Sequence, residues 1–370
     1  MEKPEPTLVV DLINGFRRSK VMFTAVALGI FDRLNDAPKD AAELARQTSA
    51  NPGALERLLN ACAALGLLRK EDGKYSNEPV ASAYLRSGSD GTLAGYILYS
   101  NSALYPLWQH LEDAVREGTN RWGQAFGKQG SIFDHFFKSD EAKRDFLMGM
   151  HGFGSLSSPH VVTAFDLGRY ARLVDLGGAT GHLAMSACQR YPRLLAAVFD
   201  LPSVIGTTRE YVKRAGLEDR IKLIAGDFFK DALPEADLFS LGRILHDWPE
   251  EKIRLLLRKI YDRLPPHGAL LIAERLLNED KTGPPDALMQ TLNMLVCTEG
   301  RERTLSEYTA LLREAGFENT QSRRIGAPVD AVLATKERTG WQRLSLRPSR
   351  RPLTRPSATL SRRERAEKWR

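Results

Sequence analysis

The chain has 370 residues, of which 42% are hydrophobic and 27% charged, a composition typical of a globular protein with one large domain or two. No run of about 18 apolar residues occurs and the N-terminus lacks the apolar core of a secretory signal, so we expect no membrane span and a cytoplasmic location. The cysteines stand far apart at Cys62, Cys188 and Cys297, which argues against a disulfide framework or a Cys-x-x-Cys metal site.

The net charge of +7 comes from one end of the chain. Residues 337–370 contain ten arginines and one lysine against three glutamates, or +8, so the other 336 residues carry 7 − 8 = −1. A neutral body offers no basic surface for nucleic acid, and we expect no nucleic-acid partner. The basic tail has no apolar periodicity, and we expect it to be disordered, either as an interaction segment or as an extension without a role.

The first 105 residues predict a small helical domain. Residues 7–34 have apolar side chains at helical spacing on several faces, which indicates burial by a partner subunit. Two further helices are predicted over 40–46 and 55–68, and a hairpin that turns at Gly73 follows, an outline typical of a winged helix. Because the second helix is rich in leucine and poor in groups that read base edges, we interpret the module as a dimerisation domain rather than a DNA-binding one.

Residues 106–160 predict a helical, aromatic-rich linker or lid, and strands alternate with helices from residue 172 onward. This alternation predicts an α/β domain with a mostly parallel sheet and helices on both faces. The predicted strands cover residues 173–176, 194–199, 222–225, 237–244, 269–273, 319–323 and 331–335, and one of the helices between them is predicted over 305–315.

The first of these strands runs into a glycine cluster, Gly177-Gly178-Ala179-Thr180-Gly181, and a helix follows. Glycines let a backbone approach a ligand, and a helix N-terminus offers unpaired N–H groups, so the stretch is typical of a nucleotide site. By itself this glycine stretch is compatible with a dinucleotide site, with an S-adenosylmethionine site, or with a loop that binds no ligand. Asp200, 25 residues after Asp175, could accept the ribose hydroxyls of either cofactor.

The remaining polar residues collect at the ends of the later strands, where open parallel sheets bind ligands. Asp227 and Phe228 could hold and stack an adenine. His246 ends the fourth strand and is a candidate general base, with Glu274 and Glu302 as carboxylates that could orient it and raise its pKa.

These features resemble the class I S-adenosylmethionine-dependent O-methyltransferases of the plant caffeic acid type, and among them the hydroxyindole branch. The resemblance covers about residues 8–336, and the combination of its motifs is specific although no single glycine motif is. The motifs are Asn14-Gly15-Phe16, Leu28-Gly29-Ile30-Phe31-Asp32, the stretch His110 to Gly118, Gly226-Asp227-Phe228-Phe229-Lys230, Arg243-Ile244-Leu245-His246-Asp247-Trp248, Leu292-Asn293-Met294-Leu295-Val296, and Thr298-Glu299-Gly300 with Glu302-Arg303-Thr304.

The resemblance implies a Rossmann-like methyltransferase domain over 106–336, an N-terminal winged-helix dimerisation domain over 1–105, and a homodimer. It implies S-adenosylmethionine as the cofactor, a small aromatic hydroxylated acceptor and no metal. The implied catalytic residues are His246, Glu274 and Glu302. The implied cofactor-binding residues are Gly177, Gly178, Asp200, Asp227, Phe228, Arg243, Phe137 and Gly154. The implied acceptor-binding residues are Asp247, Asn293 and Cys297.

Three positions depart from the family pattern. Ala179 replaces the middle glycine of the motif, and the vertebrate hydroxyindole enzymes have glutamine at the position of Cys297 and tryptophan at that of Gly154. A thiol cannot replace the hydrogen bonds of an amide, so N-acetylserotonin and a different phenolic, indolic or polyketide acceptor are both open. A catalytically silent S-adenosylmethionine-binding scaffold and an NAD dehydrogenase are the alternatives from other classes.

Overall fold

The computed structural model describes residues 4–127, 140–326 and 328–337. The chain divides into two compact units, each formed by two segments of the sequence. The first unit consists of Met1–Asp113 and Arg121–Phe153, and the second of Ala114–Asn120 and Gly154–Arg370.

The first unit is a set of helices with a small antiparallel sheet. Its strands are β1 (Lys39–Asp40), β2 (Leu68–Glu71) and β3 (Lys74–Asn77), in the order β1-β3-β2. Its helices are α1 (Thr7–Ala27), α2 (Ile30–Arg33), α3 (Ala41–Thr48), α4 (Pro52–Ala64), α5 (Pro79–Tyr84), α6 (Ala94–Tyr99) and α7 (Tyr105–Trp108); α8 (Leu111–Glu117), α9 (Trp122–Phe126) and α10 (Asp140–Thr163) follow in the chain.

The predicted helix over 55–68 is displaced by three to four residues at each end. Asn51 caps α4, because its side chain accepts the N–H of Ala54, and Pro52 occupies the first helical position. At the other end α4 stops at Ala64, since Leu68 already pairs with Asn77 in the hairpin. The winged-helix outline is therefore present, with a third strand that the sequence pattern did not indicate.

The second unit contains a seven-stranded sheet in the order β11-β12-β8-β7-β4-β5-β6. The five strands from β8 to β6 are parallel, and β12 and β11 are antiparallel to their neighbours. The strands are β4 (Arg172–Leu176), β5 (Leu195–Asp200), β6 (Ile221–Ala225), β7 (Leu238–Gly242), β8 (Ala269–Glu274), β11 (Asn319–Arg323) and β12 (Asp330–Thr335).

Helices cover both faces of this sheet, as the alternating pattern predicted. Neighbouring residues of β7 show this, because Leu238 belongs to one buried apolar cluster and Phe239 to the other. The helices are α11 (His182–Arg190), α12 (Pro202–Arg214), α13 (Glu250–Arg263), α14 (Pro285–Cys297) and α15 (Leu305–Ala315). Among the described residues, no helix has both the length and the apolar character needed to cross a membrane.

Two features differ from the prediction: the end of β7, which is the fourth predicted strand, and a short strand pair that begins after β8. The strand ends at Gly242 rather than at residue 244, because Arg243 adopts a left-handed conformation with φ 57° and Leu245–Asp247 forms a single 3-10 turn. The structure also contains a short parallel pair, β9 (Leu276–Leu277) and β10 (Arg303–Thr304), that the sequence pattern did not indicate.

Candidate active site

The carboxyl ends of five parallel strands bring the predicted residues to one edge of the sheet. The glycine loop follows β4, Asp200 ends β5, Asp227 follows β6, and Glu274 ends β8. His246 lies in the 3-10 turn after β7. Parallel pairing alone therefore places residues from distant parts of the chain at one site.

The glycine loop packs tightly against side chains at the carboxyl ends of the neighbouring strands. A Cβ on Gly177 would lie 2.6 Å from Cδ1 of Ile244, and one on Gly178 would lie 2.6 Å from Oδ2 of Asp175. Gly177 also has φ 66°, which favours glycine. Both glycines are therefore required for the loop to lie this close to its neighbours.

Ala179 occupies the middle of this loop in the left-handed conformation, with φ 50°. Two hydrogen bonds hold it there: its N–H donates to Oδ2 of Asp200 (2.8 Å), and its carbonyl accepts the hydroxyl of Thr208 (2.6 Å). The left-handed conformation costs free energy for an alanine, because its Cβ approaches the backbone, and these two hydrogen bonds offset that cost.

Asp200 is well suited to a ribose. Its Oδ1 accepts the N–H of Leu201 (2.7 Å) and its Oδ2 that of Ala179, so each oxygen keeps a second acceptor position. Burial raises the pKa of Asp200 to about 6, although the two N–H groups oppose the shift. A role for Asp200 toward the ribose stays a prediction.

Phe228 and Phe229 have different surroundings. The edge of Phe228 lies 3.4 Å from the position of a Cβ on Gly177, whereas Phe229 packs edge-on against Trp248 with ring centroids 5.1 Å apart. Phe228 is thus the ring beside the glycine loop, although both rings pack against the same apolar cluster.

Asp227 is engaged locally. Its carboxylate forms an ion pair with Lys230 (3.0 Å) and accepts the N–H of Phe229 (2.9 Å). Desolvation would raise its pKa, but these two partners outweigh that effect and hold the pKa below its ordinary value. A role for Asp227 toward adenine stays a prediction.

His246 is buried between carboxylates. Its Nδ1 lies 2.7 Å from Oε1 of Glu302 and 3.2 Å from Oε2 of Glu274, and its Nε2 lies 3.8 Å from Oδ1 of Asp247. Burial alone would lower the pKa of His246, but Glu274 and Glu302 outweigh it and raise that pKa to about 10. The sequence prediction named this set of three residues, and the structure brings them together.

The β9–β10 pair explains how Glu302 reaches His246, 56 residues earlier in the chain. Arg303 and Thr304 pair with Leu276 and Leu277, which begin two residues after the end of β8 at Glu274. The two glutamates are thereby placed side by side. Glu274 has a second role, because its Oε1 accepts the N–H groups that begin the His246 turn, those of residues 244 and 245 (2.9 and 2.8 Å).

The three side chains could also hold a metal ion, since one donor atom from each lies within 4.8 Å of the others. The contact geometry favours a hydrogen bond. Two ligands of one small cation are separated by roughly 3 Å or more, because each metal–ligand bond is about 2 Å long. The Nδ1 to Oε1 distance of 2.7 Å is shorter than that spacing.

The predicted acceptor-binding residues are buried close to this turn. Asn293 and Cys297 lie one turn apart on α14, with Sγ 3.8 Å from Oδ1 of Asn293. Burial raises the pKa of the Cys297 thiol, and the charge of Asp247 raises it further, so this thiol is a neutral group close to Asp247. Burial likewise raises the pKa of Asp247 to about 6.

The two predicted cofactor-binding residues of the 106–160 segment have different outcomes. Phe137 lies outside the described residues. Gly154 packs against the imidazole of His182, the first residue of α11, so that a Cβ at position 154 would overlap the ring. The Ser158 hydroxyl lies 2.8 Å from Nδ1 of the same histidine. His182, next to the glycine loop, was not singled out from the sequence, since one histidine at a helix start carries no distinctive pattern.

Comparison with known proteins matches both parts of the chain. Residues 10–87 match the model of the O-methyltransferase dimerisation domain, and residues 108–318 match that of the O-methyltransferase domain. Acetylserotonin O-methyltransferase of Bos taurus is 41% identical over 337 residues, which cover 89% of this chain and 97% of that protein. A probable bifunctional dTTP/UTP pyrophosphatase/methyltransferase protein of Homo sapiens is 44% identical over 336 residues, which cover 90% of this chain but 54% of that protein.

Solved structures agree in fold. The human N-acetylserotonin methyltransferase in complex with S-adenosylmethionine superimposes with a TM-score of 0.87 at 39% identity, covering 91% of this chain and 99% of that one. PigF with S-adenosylhomocysteine superimposes with a TM-score of 0.83 at 31% identity, covering 90% and 100%. The resemblance in the sequence is thereby confirmed: the chain belongs to the S-adenosylmethionine-dependent O-methyltransferases that carry an N-terminal dimerisation domain.

Proposed function

We propose that the chain methylates the hydroxyl of a small indolic or phenolic acceptor and that His246 is the general base. The observation that carries this proposal is the contact between Nδ1 of His246 and the buried Glu302 at 2.7 Å. That contact directs the other ring nitrogen, Nε2, to the side of Asp247, near the predicted acceptor residues Asn293 and Cys297.

Bound S-adenosylmethionine supplies a methyl group that its sulfonium makes electrophilic. The residues of the chain hold the two reactants and take the proton. The carboxylate of Glu302 accepts a hydrogen bond from the Nδ1–H group of neutral His246, so that Nε2 is left free to accept the proton of the acceptor hydroxyl. With its pKa raised to about 10, His246 must lose the proton from Nε2 before the ring can act as the base.

The identity of the acceptor is a finer proposal. Relatives named acetylserotonin O-methyltransferase support an indole, but the human bifunctional relative at 44% identity has another name. At Cys297 the chain presents a buried thiol, which cannot offer the paired donor and acceptor of an amide. We therefore include both N-acetylserotonin and simpler hydroxyindoles and phenols among the candidates.

The test is a mass-spectrometric screen of these acceptors with S-adenosylmethionine, using the wild type, His246→Gln and His160→Gln. His160 is an exposed histidine at the end of α10 and serves as the matched control. We expect His246→Gln to lose about 10²–10⁴-fold in kcat with cofactor affinity preserved, and His160→Gln to behave as the wild type. Wild-type turnover by His246→Gln would refute the role of the base. Cofactor binding by calorimetry without any product would favour the silent scaffold.

We also propose a homodimer formed through the N-terminal domain. The family models support functional divisions near residues 1–105 and 106–336, since they match residues 10–87 and 108–318. The first half of α1 exposes apolar side chains, which a second copy would cover. They are Leu8 (70% exposed), Val9 (60%), Val10 (49%), Leu12 (73%), Ile13 (58%) and Phe16 (52%).

Sedimentation of a Leu12→Glu, Phe16→Glu double variant tests the dimer. We expect the double variant to sediment as a monomer, whereas Val115→Glu, at a valine that is 62% exposed on α8, should leave the dimer intact. A wild-type protein that is monomeric at micromolar concentration would contradict the proposal.

A further inference from the structure

The turn that carries His246 is held through its backbone on both sides. At its start, Oε1 of Glu274 accepts the N–H groups of Ile244 and Leu245. Its carbonyl groups have a different partner. Nη1 of Arg303 donates to the carbonyl of Leu245 (3.3 Å), and Nη2 donates to that of Trp248 (3.3 Å). One guanidinium therefore spans the two residues, 245 and 248, that enclose His246 and Asp247.

Arg303 is an unusual residue for this purpose because it is only 1% exposed. Within the described part of the chain it makes no ion pair within 4.0 Å. Its Nη1 makes one further bond, to the carbonyl of Arg301 (3.0 Å). A buried guanidinium is costly unless carbonyls and nearby carboxylates compensate its charge.

The compensating charges belong to the site. Tyr308, fully buried on α15, lies among these groups, since burial and the charges of Glu274 and Glu302 raise its pKa while Arg303 lowers it. Arg303 directly follows Glu302 in the chain, and it shares Tyr308 as a neighbour with both glutamates. A cation in this position serves two purposes: it holds the carbonyls of the turn, and it offsets part of the negative charge around the imidazole.

We propose that Arg303 is a positioning residue for methyl transfer, which fixes the turn that presents Nε2 of His246 and sets the electrostatic balance of the His246, Glu274 and Glu302 group. This inference rests on the proposed role of His246. It assigns Arg303 a part in the reaction without contact to either reactant. Arg303 belongs to β10, and the pairing of β10 with β9 also brings Glu302 close to His246. One short segment therefore positions both the carboxylate and the cation.

The pH dependence separates this role from a merely structural one. Charged and titratable groups around His246 come from each neighbouring element: Asp247 from its own turn, Glu274 from β8, Glu302 and Arg303 from the segment at β10, Tyr308 from α15 and Cys297 from α14. Removing the cation stabilises the imidazolium. The limb of the kcat/KM profile that reports loss of the His246 proton should therefore move to higher pH.

Two variants and one matched control make the test. Arg303→Met removes both the positive charge and the two hydrogen bonds of the guanidinium. Arg303→Lys keeps the charge but cannot donate to both carbonyls with the geometry of a guanidinium. Arg220→Met is the control, because Arg220 makes the same type of contact elsewhere, donating to the carbonyls of Cys188 (2.8 Å), Tyr191 (2.7 Å) and Leu194 (2.6 Å). kcat, KM for both reactants, the pH profile and the melting temperature are measured for each.

We expect Arg303→Met to lower kcat by about 30-fold, with cofactor affinity within about threefold of wild type and the pH limb about 0.5–1 unit higher. Arg303→Lys should keep the limb in place and lower kcat by about fivefold. Arg220→Met should lower the melting temperature only.

Wild-type kcat in Arg303→Met, or the same unshifted limb in Arg303→Met and Arg220→Met, would overturn the proposal. Should Arg303→Met not fold, Arg303→Lys decides, because wild-type kcat in that variant would overturn the positioning role. Failure of the proposed function is distinguishable, since His246→Gln would then keep its activity whatever Arg303 does.

Discussion

Gly300 offers a direct test of how accurately His246 must be placed. The loop that leads to Glu302 passes close to the His246 turn at this residue, and the N–H of Glu299 donates to the carbonyl of Asp247 (3.3 Å). A Cβ on Gly300 would lie 2.6 Å from the backbone nitrogen of Trp248 and closer still to the carbonyl oxygen of His246. Gly300 has no positive φ, so Gly300→Ala perturbs the site by contact alone.

The size of the effect follows from these distances. Carbon and nitrogen atoms pack at about 3.5 Å, so the added methyl must push the turn or the loop away by about 1 Å. Displacing a catalytic group by that amount costs about 10²-fold in rate, because the base no longer meets the hydroxyl in line. Cofactor affinity should stay within about twofold, since the neighbours of Gly300 lie in the turn and not in the glycine loop.

The assay compares Gly300→Ala with Gly206→Ala. Gly206 lies inside α12, where a Cβ would meet nothing within 4 Å, so alanine should be neutral or slightly stabilising there. kcat is measured with the acceptor found by the screen, and cofactor affinity by calorimetry. If Gly300→Ala keeps kcat within about threefold of wild type, the turn does not need the position inferred from the contacts.

Four further outcomes are expected. Glu302→Gln removes a carboxylate from Nδ1 of His246, so the pKa of the imidazole falls and the limb of the kcat/KM profile moves down by about 1–2 pH units; an unmoved limb would contradict this. Ala179→Gly relieves a left-handed alanine and should raise the free energy of unfolding in urea by about 0.5–1 kcal/mol. Burial raises the pKa of Asp175 to about 7, so the folded state holds this proton more tightly than the unfolded one and stability falls as pH rises from about 4 to 7. That decline should shrink in Asp175→Asn, as urea unfolding at several pH values would show. Incubation with EDTA should leave kcat within about twofold, and activity lost to EDTA but restored by a divalent cation would make the His246 cluster a metal site.

Local patterns in the sequence predicted most of the helices and strands of the second unit. Leu305–Ala315 and Asn319–Arg323 have the predicted bounds, and a capping box begins the helix at Thr304. The predicted set of His246, Glu274 and Glu302 is also close together in space. Once strands are known to be parallel, their carboxyl ends must share one edge, so the sequence carries this information without any coordinates.

Contacts between distant segments decided the rest. The end of β7 at Gly242 depends on the left-handed Arg243, which no propensity predicts for an arginine. Phe228 lies beside the glycine loop and Phe229 lies against Trp248. Which ring makes which contact depends on how the segments after β4, β6 and β7 pack together.

The same holds for the residues that support the base. Hydrophobic patterns and turn residues act over a few positions of the chain, so the sequence by itself predicted most of the elements, the glycine loop and the group of His246, Glu274 and Glu302. The close approach of Gly300 and the contacts of Arg303 with the His246 turn join segments more than 50 residues apart through the two-residue β9–β10 pair. A pair that short has no periodicity to detect, and only the tertiary structure shows how the base is held.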